Sequence, residues 1–458
     1  MNVDSYLSDI DINSNSFDSL SDYIWDNPEL GYKEFKASSA IKQVLRDNGF
    51  KLEENLGNIP TAFSGTFGTG KPIIGILGEF DALSGMGQKA NSTNYDPDHN
   101  ENGHACGHNQ LGVGSLAACF AVKKYLEEAK VSGTVIYLGC PAEETGSGKT
   151  FMVREGVFDN LDVALYWHPA TENYVRPYRN LANSIIVFDF KGISAHAGSS
   201  AHLGRSALDA AELMNVGVQF LREHIIPEAR IHYSFLDTGG ISPNVVQASS
   251  KLKYMIRAPR MEDVRVITDR VINIAKGAAL MTETEVTWQE KCGASSLILN
   301  SVLMETLQNV LETLPPPVPD TDDLRYGRAM LADGMANMSN IDIKNPYHTD
   351  IKALDRTEPL KYTSNDLGDV SWVCPIVQLY TASQLFGTPN HTWAVTTQGK
   401  SSMGHKMMRY AGKVLAKTAV TLIENPEIIE KSKEEHRKRI GTSSYICPIP
   451  EGMEFFSL

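Results

Sequence analysis

Three short stretches gather cysteine, histidine and paired glutamates, the residue types that hold divalent cations and move protons. They read HACGHN (His104 to Asn109), CPAEET (Cys140 to Thr145) and ALYWHP (Ala164 to Pro169). Cys106 and His108 stand two apart across a glycine, and in an extended loop such side chains fall on one side and can grip a common ion. Glu143 and Glu144 are adjacent acids, which raise each other's pKa unless positive charge lies between them. A divalent metal supplies that charge: one glutamate can ligate while its neighbour takes a proton from an attacking water. Taken singly, a cysteine is most often a small buried hydrophobe, a histidine a core or surface residue, and an acid pair a solvated loop. Three such motifs, each ending or following an apolar run, make a shared site the better account.

Those apolar runs are the elements that must position the groups. Gly133 to Gly139 is short and β-branched, so Glu143 and Glu144 leave a strand where ligands of open α/β sheets bind. Leu161 to Trp167 is a second such run, with His168 following it. Lys71 to Phe80 suits a buried parallel strand and ends at Asp81. Leu111 to Glu128 has helical apolar spacing with small residues Gly112, Gly114, Ala117 and Ala118, as a helix packed on a sheet requires. Residues 86–103 form a polar loop carrying His99, a surface histidine, and leading to His104, which positions the loop rather than an ion. Upstream, 16–26 and 36–49 have helical spacing, the second closed by Gly49.

From Asn183 the texture changes to strand, helix (Ser206 to about His224), two strands, helix (Met261 to Ala279) and strand (Thr284 to Glu290), a βαββαβ order. The boundaries expected are 1–182 for the first part of a mixed-sheet α/β catalytic domain, 183–296 for an inserted α+β, ferredoxin-like domain, and 297–458 for the rest of the catalytic domain. The last part reads as a helix from Ser301 to Leu314 stopped by PPPVP, then an irregular stretch over 315–368. Such a length suggests a functional loop. DVSWVCPIVQLY reads as a strand, and Lys406 to Leu422 as a closing helix.

With 458 residues and 42% apolar content the chain can fill two cores. A net charge of −13 argues against nucleic acid or an anionic membrane as partner and leaves small molecules. The six cysteines (106, 119, 140, 292, 374 and 447) show no paired pattern and read as reduced thiols in a cytoplasmic protein. The polar, acidic start lacks the regions of a signal peptide, and no apolar run reaches membrane-spanning length.

HACGH, PAEE and WHP resemble the metal-binding motifs of the aminoacylase/carboxypeptidase metallopeptidase family, in the amidohydrolase branch where a cysteine bridges two metals. NPELGYKEF (Asn27 to Phe35), GEFDAL (Gly78 to Leu83), SAHAG (Ser194 to Gly198) and DVSWVCP (Asp369 to Pro375) resemble its other landmarks in order. The resemblance implies a dinuclear metallopeptidase with a lid and dimerisation domain, cleaving N-acyl or N-aroyl amino acids or small dipeptides. It implies two divalent ions, zinc first and manganese close behind. By the same resemblance Cys106 bridges, His108 and Glu144 serve one ion, and His168 and a late histidine serve the other. That late ligand is His391 by its distance before the closing helix, with His405 as the rival. Asp81 sits behind the metals. Glu143 is the general base, and His196 is the lid histidine that stabilises the oxyanion in the neighbouring subunit's site. Asn244 and Arg257 contact the carboxylate end of the substrate. The implied assembly is a homodimer or a pair with a related subunit. Two other readings are a Cys–His nucleophilic hydrolase using Cys106, which leaves Glu143, Glu144 and His168 unemployed, and a non-catalytic metal-binding partner subunit.

Overall fold

The computed structural model describes residues 5–337 and 341–455, and of Thr145 the backbone alone. Part of the 315–368 stretch, residues 338–340, lies outside them. The chain divides into two compact units. The first comprises Met1–Tyr178, Ile298–Pro359 and Val370–Ser443, and the second Arg179–Leu297, Leu360–Asp369 and Ser444–Leu458. The second unit thus takes in 360–369 and 444–458, which the sequence reading placed with the catalytic part.

The first unit is built on an eight-stranded mixed sheet. In spatial order its strands are Lys51–Glu54, Phe63–Thr69, Gly133–Gly139, Ile73–Gly78, Val163–Ala170, Ile376–Ala382, Glu172–Val175 and His348–Ile351. The central four run parallel. They are the continuous apolar runs, as strands covered on both faces must be. The helix His108–Ala129 connects Ile73–Gly78 to Gly133–Gly139 and lies close enough to need its glycines. A Cβ on Gly112 would come 2.7 Å from the Glu79 carbonyl oxygen, and one on Gly114 would come 2.5 Å from the Trp167 ring. The helix Ser402–Glu424 packs against the same helix; a Cβ on Gly412 would lie 3.0 Å from the Gly114 carbonyl oxygen.

The stretch 315–368 is not irregular throughout. Helix Thr321–Ala332 starts on a capping box in which Asp320 and Asp323 satisfy each other's backbone N–H groups, and His348–Ile351 adds an edge strand. The prolines before Asp320 are the entry to a helix. DVSW is helical too: Leu367–Val373 is a short helix, and the strand begins only at Ile376. Residues 367–371 are all buried, so no polar face marked the helical period. Beyond the closing helix, Pro426–Ile440 forms another, with proline in its first turn.

The second unit has a four-stranded antiparallel sheet in the order Arg230–Asp237, Ser249–Ala258, Ala182–Lys191, Glu285–Ala294, with the helices Ala207–Leu221 and Met261–Thr282. This is the expected βαββαβ arrangement. Ile186, Phe188, Phe190, Leu252, Tyr254 and Ile256 face Met214, Val218 and Val271 in one apolar core. The strand Ser249–Ala258 alternates buried and exposed positions, as a sheet with one covered face does.

Candidate metal centre

The HACGH turn is not extended. Gly107 has φ +78°, and a Cβ there would press to 3.0 Å on Pro169, so a glycine is required for both its conformation and its space. The turn makes His108 the first residue of the helix His108–Ala129. Its Nδ1 lies 2.8 Å from Asp81 Oδ1, and Asp81 Oδ2 accepts the Glu144 backbone N–H at 3.0 Å. One buried carboxylate thus orients a histidine and anchors the glutamate pair. A carboxylate on Nδ1 leaves Nε2 as the ligating atom, the arrangement by which metal-binding histidines are fixed.

His168 lies within the strand Val163–Ala170 rather than beyond it. Its Nδ1–H donates to the Pro169 carbonyl at 2.7 Å, and Nε2 faces Cys106 Sγ at 3.4 Å. His391 has left-handed backbone, φ +58°, with its N–H on the Ala105 carbonyl at 3.0 Å. Such strain in a residue with a β-carbon persists only where surroundings hold it. Its Nε2 stands 3.3 Å from Glu144 Oε1. His405 instead meets Asp22 at 2.9 Å on the helix Ser402–Glu424 and joins no ligand cluster among the described residues. His104 is buried with Nε2 3.1 Å from the Ile24 carbonyl, and His99 is exposed.

Ligand atoms lying within 4.8 Å of one another form three sets. They are Cys106, His108 and His168; Cys106, Glu144 and His391; and Glu79, His108 and Glu143. Cys106 is common to the first two. The pairing therefore differs from the one the resemblance implied: His108 goes with His168, and Glu144 with His391. His108 Nε2 and Glu144 Oε1 are buried with poorly aligned ionic neighbours as their polar contacts, Glu79 Oε2 at 3.2 Å and His391 Nε2 at 3.3 Å. Buried polar atoms are seldom left so, and a cation would satisfy both. Burial works against a charge on His108, yet Cys106 and Asp81 raise its pKa well above the usual value. Burial pushes His168 down to about 4, with His108 adding to the effect. Burial raises the Cys106 thiol. For Glu144 burial is the largest single influence and acts upward, but the contact with His391 and the charges of His108 and His391 together bring its pKa below the usual value. The donor set fits divalent cations.

The glutamate pair occupies a one-turn helix, Glu143–Gly146, between left-handed Ala142 and Ser147. Glu34 holds this loop: Oε1 accepts the Ala142 N–H at 2.8 Å and Oε2 the Thr61 hydroxyl at 2.9 Å. Burial, then the Asp81 charge, pushes Glu34 up to about 8. The Tyr32 hydroxyl donates to the Gly146 carbonyl at 2.5 Å. Both residues lie in NPELGYKEF, the motif that carried no assigned role. Glu79 and Lys149 were also not singled out, although both are wholly buried at this centre.

His196, Asn244 and Arg257 belong to the second unit. His196 is exposed, and its Nδ1 accepts the N–H groups of Gly198 and Ser199 at 3.1 Å each, which leaves Nε2–H to donate outward. The Asn244 carbonyl accepts the Ala197 N–H at 2.9 Å, so the SAHAG and SPNVV loops are paired. Arg257 donates from Nη1 to Ser364 Oγ at 2.6 Å, and burial lowers its pKa. No helix among the described residues is long and apolar enough to cross a membrane.

From sequence, the wording of EFDAL, WHP and DVSW is most similar to the p-aminobenzoyl-glutamate hydrolase B-subunit type. The chain is 43% identical to a p-aminobenzoyl-glutamate hydrolase subunit of that type from Escherichia coli (strain K12), over 97% of this chain and 96% of that one. It is 27% identical to the Xaa-Arg dipeptidase of Mus musculus, over 92% and 89%. Among solved structures, a dinuclear metal-binding peptidase from M20 family of Bacillus subtilis superposes with a TM-score of 0.57 at 16% identity, over 90% of this chain and 99% of that one. The family described as Peptidase family M20/M25/M40 matches residues 75–355. With the ligand sets, the two-unit fold and these matches in agreement, the chain belongs to peptidase family M20/M25/M40 and is a metal-dependent hydrolase.

Proposed function

We propose that this chain hydrolyses the amide bond of N-acyl or N-aroyl amino acids or small dipeptides at a centre of two divalent ions, with a p-aminobenzoyl-glutamate-like amide as the first substrate to test. The observation that carries the reading is the sharing of Cys106 between two three-atom ligand sets. Cys106, His108 and His168 would hold one ion and Cys106, Glu144 and His391 the other, with zinc the first choice and manganese the second. When bound, the pair supplies Lewis acidity, lowering the pKa of a water and polarising an amide carbonyl. Glu143 takes the proton of that water and returns it to the leaving amine nitrogen. His196, with Nε2–H directed outward, donates to the oxyanion that develops on the carbonyl. Arg257 and Asn244 hold the carboxylate of the amino-acid portion. A homodimer would let His196 serve the partner's site, and the word subunit in the bacterial relative's name makes a related partner chain the alternative. A cytoplasmic location accords with six cysteines that form no disulfide among the described residues.

A thiolate nucleophile at Cys106 has His168 within 3.4 Å, but burial raises the thiol, whereas nucleophilic cysteines have depressed values. The deciding experiment separates the adjacent glutamates. Glu143→Gln should retain both ions while turnover falls by about 10²–10⁴, and Glu144→Gln should lose metal. Metal content by elemental analysis checks both, and equal metal loss in the two variants would overturn the roles.

A further inference from the structure

Directly beneath the ligand sets lies a charged pair that none of the roles above uses. Lys149 and Glu79 are wholly buried, with Nζ 2.6 Å from Oε1. The other oxygen, Oε2, accepts the Tyr166 hydroxyl at 2.8 Å and stands 3.2 Å from His108 Nε2. Glu79, His108 and Glu143 form the third set of ligand atoms within 4.8 Å. Geometrically, then, an ion at His108 has two choices. It can share Cys106 with its neighbour, or it can move to Glu79 and draw in Glu143, the group needed for proton transfer. A buried carboxylate demands a cation, and Lys149 supplies one that cannot leave.

We propose that Lys149 is a positioning residue: by pairing with Glu79 it keeps that carboxylate out of the coordination of the ion at His108, so that the ion stays on Cys106 and Glu143 remains available for chemistry. The sequence places the lysine for this task. It enters from the helix Gly148–Arg154, which follows the glutamate pair directly, so one loop delivers the ligand Glu144, the base Glu143 and the cation that keeps them in separate roles. Tyr166, on the strand that carries His168, fixes the second oxygen of Glu79 from the other side.

This inference rests on the two-ion reading, and the test separates the two. The wild type, Lys149→Met, Glu79→Gln and the double variant are loaded with Co²⁺, and thiolate-to-cobalt charge-transfer absorption is recorded beside total cobalt. Two cobalt ions in the wild type with thiolate absorption uphold the two-ion reading; fewer than two, or no such band, would overturn it. Lys149→Met should keep its cobalt while the charge-transfer band falls to roughly half, because one ion exchanges sulfur for carboxylate oxygen. Its turnover should fall with it. Glu79→Gln should keep both ions and the full band, and adding it to Lys149→Met should restore the band, a rescue that a purely structural lysine would not show. An unaltered band in Lys149→Met, or cobalt loss in Glu79→Gln, would overturn the proposal. Should Lys149→Met fail to fold, Glu79→Gln and the double variant decide it: full bands in both uphold it, and a diminished band or lost cobalt in either overturns it.

Discussion

The candidate ligand cluster of the first unit and the His196–Asn244–Arg257 group of the second hold their side chains in different ways. In the first, every candidate ligand except His391 is largely buried, and nearly every one has a second contact: Asp81 on His108 and Glu144, the Pro169 carbonyl on His168, a strained backbone under His391. In the second, His196 and Asn244 are exposed on paired loops, and Arg257 has the Ser364 hydroxyl as its hydrogen-bond partner. The difference teaches that the cluster is preorganised by tertiary structure, as ion capture and charge stabilisation demand. In the second group His196 and Asn244 are held by the pairing of their loops, and Arg257 by its strand, Ser249–Ala258, and the Ser364 hydroxyl.

The comparison breaks most visibly at His196. His196→Ala should lower turnover by about 10²–10³, the range for an oxyanion donor, with both ions retained. Mixing it with Glu143→Gln should restore activity in mixed dimers, since one site then has an intact base and an intact donated histidine. Mass measurement of the dimers establishes subunit exchange. Verified mixed dimers with no recovered turnover would place His196 at its own chain's site or out of the reaction.

At Arg257 the expected effect is smaller. A charge-assisted hydrogen bond contributes about 1.5–3 kcal/mol, so Arg257→Ala should lower kcat/KM for a substrate bearing the carboxylate roughly ten- to a hundredfold. An amide lacking that carboxylate should be hydrolysed equally by both proteins. Unchanged preference in the variant would make Arg257 a strand residue with no substrate contact.

Asp81 sharpens the other side. Asp81→Asn removes the charge that orients His108 while preserving shape, and metal affinity should fall by about 10- to 100-fold. Competition with a chelator measures it. Affinity equal to the wild type would mean that the helix start alone orients the histidine.

The least effect on turnover is expected at Asp162, which precedes the ligand strand Val163–Ala170. Its carboxylate accepts the Ile73 N–H at 2.7 Å and pairs with Lys433 at 2.5 Å and Lys71 at 3.0 Å. Burial alone would raise its pKa, but these partners, Lys433 foremost, bring it below the ordinary aspartate value. The unfolded value is about 3.9, so the charged form contributes stability above that pH, and the contribution is lost as pH falls through the lower folded value. Asp162→Asn should therefore cost about 1 kcal/mol at neutral pH, the gap should close below about pH 4, and metal content should not change. Urea denaturation across pH checks it; a gap independent of pH would show that the charge is not responsible.

Much of this was legible along the chain because it is local. Apolar runs marked the parallel strands, glycine-spaced small residues marked the His108–Ala129 helix, and alternation marked the second unit's sheet. Where the local signal was weak, the reading failed: a buried helix at Leu367–Val373 has no polar face to reveal its period, and the helix at Thr321 was hidden behind prolines.

Sequence by itself determined the ligand types and the strands and turns that present them, since a Cys-Gly-His turn or an acid pair after a strand depends on neighbours in the chain. Tertiary structure alone decided the rest. It put His391 rather than His405 beside Glu144, matched His108 with His168, and brought Glu79 to Lys149 and Glu34 to Ala142. Residues 286 positions apart on the chain (105 and 391) meet here through one backbone hydrogen bond. Such pairings follow from strand order and register, which no local run of residues encodes.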